Sequence, residues 1–329
     1  MTVELQLRFD LRVPPMAKTD HATQYRACLE MVEWGERMGF QDLTLSEHHN
    51  DEAGYLPAPL TLAAAILGRT SRIKVSIAAA LVPLHDPLRI AEQLALLDLI
   101  GPGRISAIFG AGYRKAEFES AGVDRKLRGK LVEECVETCK AAWTGEPIEF
   151  RGRTVMIRPT PATPGGPHIA VGGKTELAAR RAARLRCHFS PSSGDPVLSA
   201  AYREECERLG YDGKVEGLGD KPMRAGFVHV SRDPESAWAE IAPLALYDAE
   251  TYASWQDDPV RSYWVVPDLQ GADDLRTSGR YLVLTPDECI EQINKDRGLT
   301  LHPLMGGIHP DLAWESLRLL EHEVLPNVS

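Results

Sequence analysis

The sequence predicts a (β/α)8 barrel, the TIM-barrel fold, built as a single domain over residues 1–329. Short apolar stretches alternate with segments of helical periodicity along the chain. Eight such strand candidates can be counted, and eight parallel strand–helix units close most naturally into a barrel. The length of 329 residues, with 43% hydrophobic residues, fits a barrel of about 250 residues with insertions.

The eight strands follow one another with a helical segment after each. Leu5, Leu7 and Phe9 alternate with polar residues, as a half-buried strand requires. The third strand contains the β-branched residues Ile73, Val75 and Ile77. The predicted strands are residues 3–9, 42–46, 73–79, 105–109, 168–172, 187–190, 225–230 and 299–304.

Four helix starts are marked by a capping residue followed by proline. Asp-Pro occurs at 86–87, 195–196 and 233–234, and Thr-Pro occurs at 285–286. The side chain of Asp or Thr can accept a backbone N–H, and proline has no N–H to leave unpaired at the first helical position. Glu288, three residues after Thr285, predicts a capping box.

Two stretches interrupt the alternation and are predicted to be insertions. Residues 146–167, after the fourth helix, contain two short extended runs around a central Arg-Gly-Arg and predict a hairpin. Residues 243–280, in the seventh strand–helix unit, predict a lid, because long loops in compact domains tend to be functional. The alternative is that its aromatic residues only hold the loop against the barrel. They are Tyr247, Tyr252, Trp255, Tyr263 and Trp264.

Composition favours a small-molecule partner and a cytoplasmic protein. Acidic residues outnumber basic ones by 47 to 37, which is the opposite of the basic footprint of a nucleic-acid-binding protein. No apolar run reaches the roughly 20 residues of a membrane span. The six cysteines have no paired spacing, so we expect reduced core thiols rather than disulfides or zinc ligands.

The candidate active site is the Ser-Glu-His-His segment at residues 46–49, which follows the second predicted strand. Barrel enzymes carry their catalytic groups at this end of the strands. The alternative is a surface loop whose histidines satisfy local hydrogen bonds. Of the two imidazoles we prefer His48 to His49, since neighbouring residues on an extended backbone face opposite sides. His85 follows the third strand, and a pocket role and a local structural role are both open for it.

The doubly wound nucleotide-binding fold is a poorer interpretation. Such a fold opens with a strand that runs into a Gly-x-Gly-x-x-Gly turn. Here Gly110 and Gly112 follow the fourth strand, and Lys115 stands where the third glycine would be. The fingerprint therefore fails both in place and in residue type.

The order and spacing of several motifs resemble those of the bacterial-luciferase-like flavin monooxygenases. The resemblance is specific over residues 40–125 and looser at Gly172, Gly173 and the closing residues 323–326. It covers most of the chain apart from the 243–280 insertion. The motifs are Glu47-His48-His49, Gly54, residues 78–83 and 86–92, Leu97-Asp98, Gly103-Arg104, and Gly110 through Tyr113.

The resemblance implies a two-component monooxygenase. Such an enzyme receives reduced FMN from a separate flavin reductase, reacts it with dioxygen through a flavin hydroperoxide, and oxygenates a small organic substrate. It implies that His48 lies beside the reactive edge of the flavin, where an imidazole can give or take a proton. Glu47 would orient His48 without contacting the flavin itself, and the side chain of His49 would point away from the flavin. The resemblance also implies a homodimer.

Further cofactor-binding residues are expected from the same resemblance. Ala78 and Ala79 would carry a non-proline cis peptide beneath the flavin ring. The phosphate would be bound by backbone amides at a helix N-terminus, with Gly172, Gly173, Lys174 and Thr175 as the first contributor. Gly110, Gly112 and Tyr113 would be the second, with Arg114 or Lys174 as the source of positive charge.

Two other functions remain open. One is a hydride-transferring oxidoreductase that uses a deazaflavin coenzyme in the same barrel. The other, from a different class, is a non-catalytic flavin-binding protein, since a fold alone does not prove a function. No metal site is predicted.

Overall fold

The computed structural model describes residues 3–217, 224–255 and 265–328. The strands are β1 Glu4–Phe9, β2 Asp42–Leu45, β3 Lys74–Ala80, β4 Ile105–Phe109, β5 Ile148–Phe150, β6 Arg153–Val155, β7 His168–Gly173, β8 His188–Pro191, β9 Phe227–Val230, β10 Tyr281–Leu284 and β11 Gly298–Leu301. The helices are α1 His21–Arg37, α2 Pro59–Arg69, α3 Pro87–Ile100, α4 Lys115–Ala121, α5 Arg128–Ala142, α6 Glu176–Arg184, α7 Pro196–Leu209, α8 Pro234–Ser254, α9 Ala272–Thr277, α10 Pro286–Asp296 and α11 Pro310–Leu319.

The fold is α/β with a curled parallel sheet. Seven strands pair in the order β11-β1-β2-β3-β4-β7-β8, and all of these pairings are parallel. β9 and β10 form a second parallel pair, and β9 lies against β11. Among the described strands no ladder joins β8 to β9, so the predicted parallel α/β class is confirmed while closure into a full barrel is not shown.

Alternation along the strands separates two faces of the sheet. Leu7 and Phe9 of β1 and Leu43 and Leu45 of β2 are completely buried, and Leu7 packs against Gly35 of α1, where an added Cβ would lie 2.7 Å from a Leu7 methyl carbon. The intervening positions are polar and stand side by side in register. They are Arg8, Thr44, Ser76 and Ser106.

The predicted elements are largely present. All eight predicted strands occur, with ends within three residues of those expected. The 146–167 segment contains the expected antiparallel hairpin, formed by β5 and β6. Asp86, Asp195, Asp233 and Thr285 each accept a backbone N–H at the start of a helix, and Glu288 completes the capping box. The strand β10 was not predicted.

The aromatic insertion does not begin at residue 243. Residues 243–254 continue α8, in which Asp248 and Tyr252 are buried, and this part of the predicted lid belongs to the packed interior. Tyr263 and Trp264 lie outside the described residues, and α9 occupies part of the remainder. The six cysteines are buried and form no disulfide, as predicted. Among the described helices none is long and apolar enough to span a membrane.

Candidate active site

The Ser-Glu-His-His segment leaves the end of β2 and enters the interior. Ser46, Glu47 and His48 are buried. In a parallel sheet the loops after the strands meet at the carboxyl edge. The segments that follow β3 and β4 meet it there and supply partners of Glu47 and His48.

His48 is held by Glu117, a residue of α4. The Nδ1 atom of His48 lies 2.8 Å from the Glu117 carboxylate, which also accepts the backbone N–H of His49 at 3.0 Å. A carboxylate can only accept, so Nδ1 carries the proton and Nε2 is left as an acceptor. That Nε2 atom is 3.5 Å from the hydroxyl of Tyr113. Burial lowers the pKa of His48 by more than Glu117 raises it, so the ring is neutral at pH 7.

Glu47 holds two other imidazoles. One of its carboxylate oxygens is 2.7 Å from Nε2 of His49 and 2.5 Å from Nε2 of His85, and the other accepts the N–H of Leu81 at 2.9 Å. Burial works against ionisation, but the hydrogen bonds from the two imidazoles lower the pKa of Glu47 to about 2. The prediction that Glu47 orients His48 is therefore wrong. His49 turns away toward Glu47, as predicted.

Aromatic rings surround His48 and form what we call the aromatic wall, which consists of Tyr55, Tyr113, Tyr252 and Trp255. The ring centroids of Tyr55 and Trp255 lie 4.8 and 4.7 Å from that of His48. The Arg114 guanidinium stacks 3.9 Å from the Trp255 centroid and donates to the backbone oxygens of His49 and Asn50. Arg114 is thus engaged with the backbone and with Trp255, and its role as a source of charge for a phosphate stays a prediction. The side chains around His48 are therefore mainly aromatic, and the end of α8 closes one side of this region.

A buried charge network lies behind these rings. Arg12 is fully buried and pairs with Asp10, which follows β1, and with Asp248 of α8. Although burial opposes ionisation, Arg12 holds the pKa of Asp10 well below its usual range. Tyr252 lies next to this network, since its hydroxyl is 3.2 Å from Arg8 and 2.7 Å from the hydroxyl of Tyr55. The network thus ties α8 to β1 and to the aromatic wall beside His48.

The residues expected beneath a flavin ring form a shallow, small-residue surface. Ala78 and Ala79 are partly exposed at the end of β3, and the peptide bond between them is cis. Gly110 lies against them, so that an added Cβ would be only 2.9 Å from the Cβ of Ala79. Gly112 has a φ of +70° and would bring a Cβ to 3.0 Å from the Phe118 ring. Larger side chains at these positions would fill the space beside the cis peptide, so the small residues leave room for the flat flavin ring.

The expected phosphate residues lie where β7 enters α6. The Thr175 hydroxyl caps α6 by accepting from the N–H of Ala178 at 3.2 Å, and it keeps its own hydrogen for a ligand. Gly173 has a packing function, because an added Cβ would lie 2.4 Å from the Cβ of Ala178. Ser192 hydrogen-bonds Gly173 through its backbone, and its buried Oγ has no partner among the described residues. These groups fit an anion at the start of α6.

A family model described as luciferase-like monooxygenase matches residues 7–301 of this chain. The chain belongs to the luciferase-like monooxygenase family. The curated relatives include limonene 1,2-monooxygenase of Rhodococcus erythropolis, 24% identical over 81% of this chain and 70% of the relative. The alkanal monooxygenase beta chain of Photorhabdus luminescens is 29% identical over 42% of this chain. For that relative and some others the match spans less than half of the relative's length.

One relative of this luciferase-like chain is named for the coenzyme F420. The F420-dependent glucose-6-phosphate dehydrogenase of Nocardia farcinica is 27% identical over 83% of this chain and 86% of the relative. Among solved structures, the monooxygenase RslO1 from Streptomyces bottropensis superposes with a TM-score of 0.76 over 99% of this chain and all of its own, at 23% identity. The oxygenating constituent of 3,6-diketocamphane monooxygenase of Pseudomonas putida, solved with FMN, gives 0.73 at 20% identity over 100% and 99%. These superpositions show the shared fold.

The sequence did not point to Glu117 or Ser192. Glu117 lies 69 positions after His48 in the chain, and a single glutamate in the first turn of a helix is also what a helix N-terminus ordinarily favours. Ser192 belongs to the loop after β8, where serine is common. The one available signal was position, since both residues come just after strands whose ends meet at the same edge.

Proposed function

We propose that this family member is an FMN-dependent monooxygenase that inserts one oxygen atom of dioxygen into a small organic substrate. The observation that carries the proposal is His48, a neutral buried imidazole whose tautomer is fixed by Glu117 at 2.8 Å. Its Nε2 lies 3.5 Å from the hydroxyl of Tyr113, and the Trp255 ring centroid is 4.7 Å from that of the imidazole. Such a group can accept and return a proton at a fixed place while the surrounding rings keep water out.

Different residues of the chain would bind the flavin ring, bind its phosphate and handle the proton. Ala78, Ala79 and Gly110 would lie against the flavin ring, and Lys174 with the amides at the start of α6 would hold its phosphate. Reduced FMN, when bound, supplies the electrons that activate dioxygen. His48 offers Nε2 as the atom that accepts a proton and returns it, while Nδ1 keeps its proton, which it donates to Glu117. Glu47 keeps the loop at Leu81 in place through its hydrogen bonds.

The surroundings of His48 favour an apolar or carbonyl substrate. Tyr55, Tyr113, Tyr252 and Trp255 contribute ring faces and edges, which suit hydrophobic groups and leave few polar atoms to recognise charge. The relatives named for limonene and alkanals support the same substrate class.

Two partners complete the proposal. A separate flavin reductase would supply reduced FMN, and a second copy of the chain would form a homodimer. Helix α3 supports the dimer, because Leu96, Leu99 and Ile100 are 54%, 41% and 41% exposed, and such side chains on one helix commonly mark an interface. Sedimentation equilibrium tests the dimer directly.

The second candidate is an F420-dependent hydride transfer. It is favoured by the Nocardia farcinica relative, which matches a larger share of its own length than the limonene enzyme does. In that case His48 would give or take the proton that accompanies hydride transfer, and dioxygen would have no part in the reaction.

The test compares the two cofactors on the same protein. FMN, reduced FMN and reduced F420 are titrated separately, and turnover is then followed with a flavin reductase and labelled dioxygen on panels of ketones, aldehydes, terpenes and alkanes. We expect tight binding of reduced FMN and a product that contains one labelled oxygen atom. Tight binding of reduced F420 with oxygen-independent reduction of a ketone or aldehyde would establish the second candidate. Flavin binding with hydrogen peroxide as the sole product would indicate a non-catalytic flavin-binding protein.

The phosphate site can be tested with a single lysine. Lys174→Ala should lower the affinity for FMN by about tenfold, which is the value of one hydrogen bond to a charged group. The affinity for riboflavin should not change, because riboflavin has no phosphate. Lys115→Ala is the matched control, since Lys115 starts α4 after β4 and pairs with Glu119 on the surface. Equal losses for FMN and riboflavin would place the phosphate elsewhere. Gly173→Val is unsuitable because of the contact with Ala178.

The partner of His48 can be tested through a pH profile. Glu117→Gln removes the negative charge that raises the pKa of His48, while Arg114 and Arg12 continue to lower it. The pKa of His48 should therefore fall, and the acidic side of the pH profile of the turnover rate should move to lower pH. The rate at the optimum should drop at least about tenfold, because the tautomer is no longer fixed. Glu119→Gln, on the exposed side of α4, should change neither. An unshifted acidic side of the profile in Glu117→Gln would contradict this role.

A further inference from the structure

Two histidines and a glutamate converge at the opposite end of the strands from His48. His168 is the first residue of β7 and His188 is the first of β8. The Glu216 carboxylate lies between them, 3.0 Å from Nε2 of His168 and 2.5 Å from Nδ1 of His188. The two imidazole centroids are 5.0 Å apart. All three ligand atoms lie within 4.8 Å of one another.

The backbone holds this cluster in place. β7 and β8 pair so that Ala170 stands opposite His188, which puts His168, two residues before Ala170, on the same face of the sheet. Glu216 is fixed independently, because its segment runs beside β8. The N–H of Phe189 donates to the oxygen of Lys214 at 3.0 Å, and the N–H of Glu216 donates to the oxygen of Phe189 at 2.8 Å.

The cluster borders a cleft of about 190 Å³ to which His168 and His188 contribute. The three side chains are partly exposed, at 46%, 25% and 33% for His168, His188 and Glu216. Lys140 also borders the cleft, but its ammonium group donates to the backbone oxygens of Leu185 and Arg186 at 2.8 and 3.0 Å. Water can therefore reach the cluster and occupy positions that the protein leaves open.

We infer that His168, His188 and Glu216 bind a divalent transition metal ion, with Zn²⁺ as the best match. Two imidazole nitrogens and one carboxylate oxygen are ligands that zinc accepts, and water would complete the coordination. With bonds of about 2.0 to 2.1 Å, ligand atoms in a tetrahedral site lie about 3.3 Å apart. The two separations from the Glu216 carboxylate, 3.0 and 2.5 Å, need to open by less than 1 Å, which side-chain rotation supplies. The ion would replace the protons now shared with Glu216.

This site is independent of the proposed function, because it shares no residue with the candidate active site. The sequence did not predict it, since its ligands come from three separate segments with none of the close spacing of zinc motifs. A second cluster of the same residue types, formed by Glu47, His49 and His85, lies beside His48. The experiment must therefore tell the two clusters apart.

An untagged protein of residues 1–329, freed of metal by a chelator, is titrated with Zn²⁺ by calorimetry and with Co²⁺ by visible absorption. We expect one equivalent bound and a rise in melting temperature with Zn²⁺. His188→Ala and the near-isosteric Glu216→Gln should each lower the affinity for the ion by at least about tenfold. This lower limit is taken from the effect of losing an outer-shell partner of a metal ligand. His309→Ala, at a partly exposed histidine that caps α11, should leave the affinity for Zn²⁺ unchanged.

Three outcomes would overturn the inference. The first is the absence of binding to the unaltered protein at micromolar Zn²⁺. The second is unchanged affinity in Glu216→Gln and His188→Ala, each verified as folded by circular dichroism. The third is loss of the ion in His85→Ala while His188→Ala retains it, which would assign the metal to the cluster beside His48.

Discussion

His48→Ala should lower coupled oxygenation about 10²- to 10⁴-fold, the usual effect of removing a single acid or base group. The electrons of reduced FMN would then pass to dioxygen and emerge as hydrogen peroxide. The fold should survive, because the Glu117 carboxylate keeps its bond from the N–H of His49 at 3.0 Å. Product formed per dioxygen consumed is the measurement, with the best substrate of the panel.

The neighbouring histidine supplies the control for that experiment. His49 bonds to Glu47 rather than facing the aromatic wall, so His49→Ala should leave coupling within a few-fold of normal. FMN affinity should be similar in both variants. If His48→Ala kept coupled turnover and His49→Ala lost it, the roles assigned to the two imidazoles would be reversed.

Local patterns in the sequence were sufficient for most of the fold. Alternation in β1 and capping at Asp86 or Thr285 depend on residues only a few positions apart in the sequence. The contacts that form these elements are therefore as local as the patterns that predict them. β10 escaped prediction because Tyr281–Leu284 lies between the segment assigned to the insertion and the residue that caps α10. The start of the insertion was misplaced because Pro243, taken as a loop residue, lies inside α8.

The site was predictable only in part, because its contacts join distant segments. The resemblance led to His48 and to the small residues at Ala78 and Ala79, which lie at strand ends. The residue that orients His48 could not be found in this way. Glu47 is adjacent in sequence, yet alternation turns its side chain toward His85, and the carboxylate that serves His48 comes from α4.

Asp248→Ala should lower the free energy of unfolding by about 3 to 5 kcal/mol, because it removes one of the two carboxylates that pair with a buried guanidinium. Arg12 is fully buried, and its guanidinium pairs with both Asp10 and Asp248. Asp248 also accepts the hydroxyl of Tyr281 at 2.8 Å. Without the carboxylate, Arg12 keeps one anion where it had two. Urea unfolding followed by circular dichroism measures the change.

The same substitution should reach the candidate active site, because Asp248 anchors the half of α8 that ends at Trp255. Arg12 lies 4.9 Å from the Tyr252 ring centroid and 5.1 Å from that of Tyr55, so a displaced Arg12 disturbs the wall beside His48. Glu323→Ala is the control, since its pair with Arg232 is solvent-exposed and such pairs contribute little. If Asp248→Ala unfolded at the same urea concentration as Glu323→Ala, the buried network would not be what holds α8 to β1.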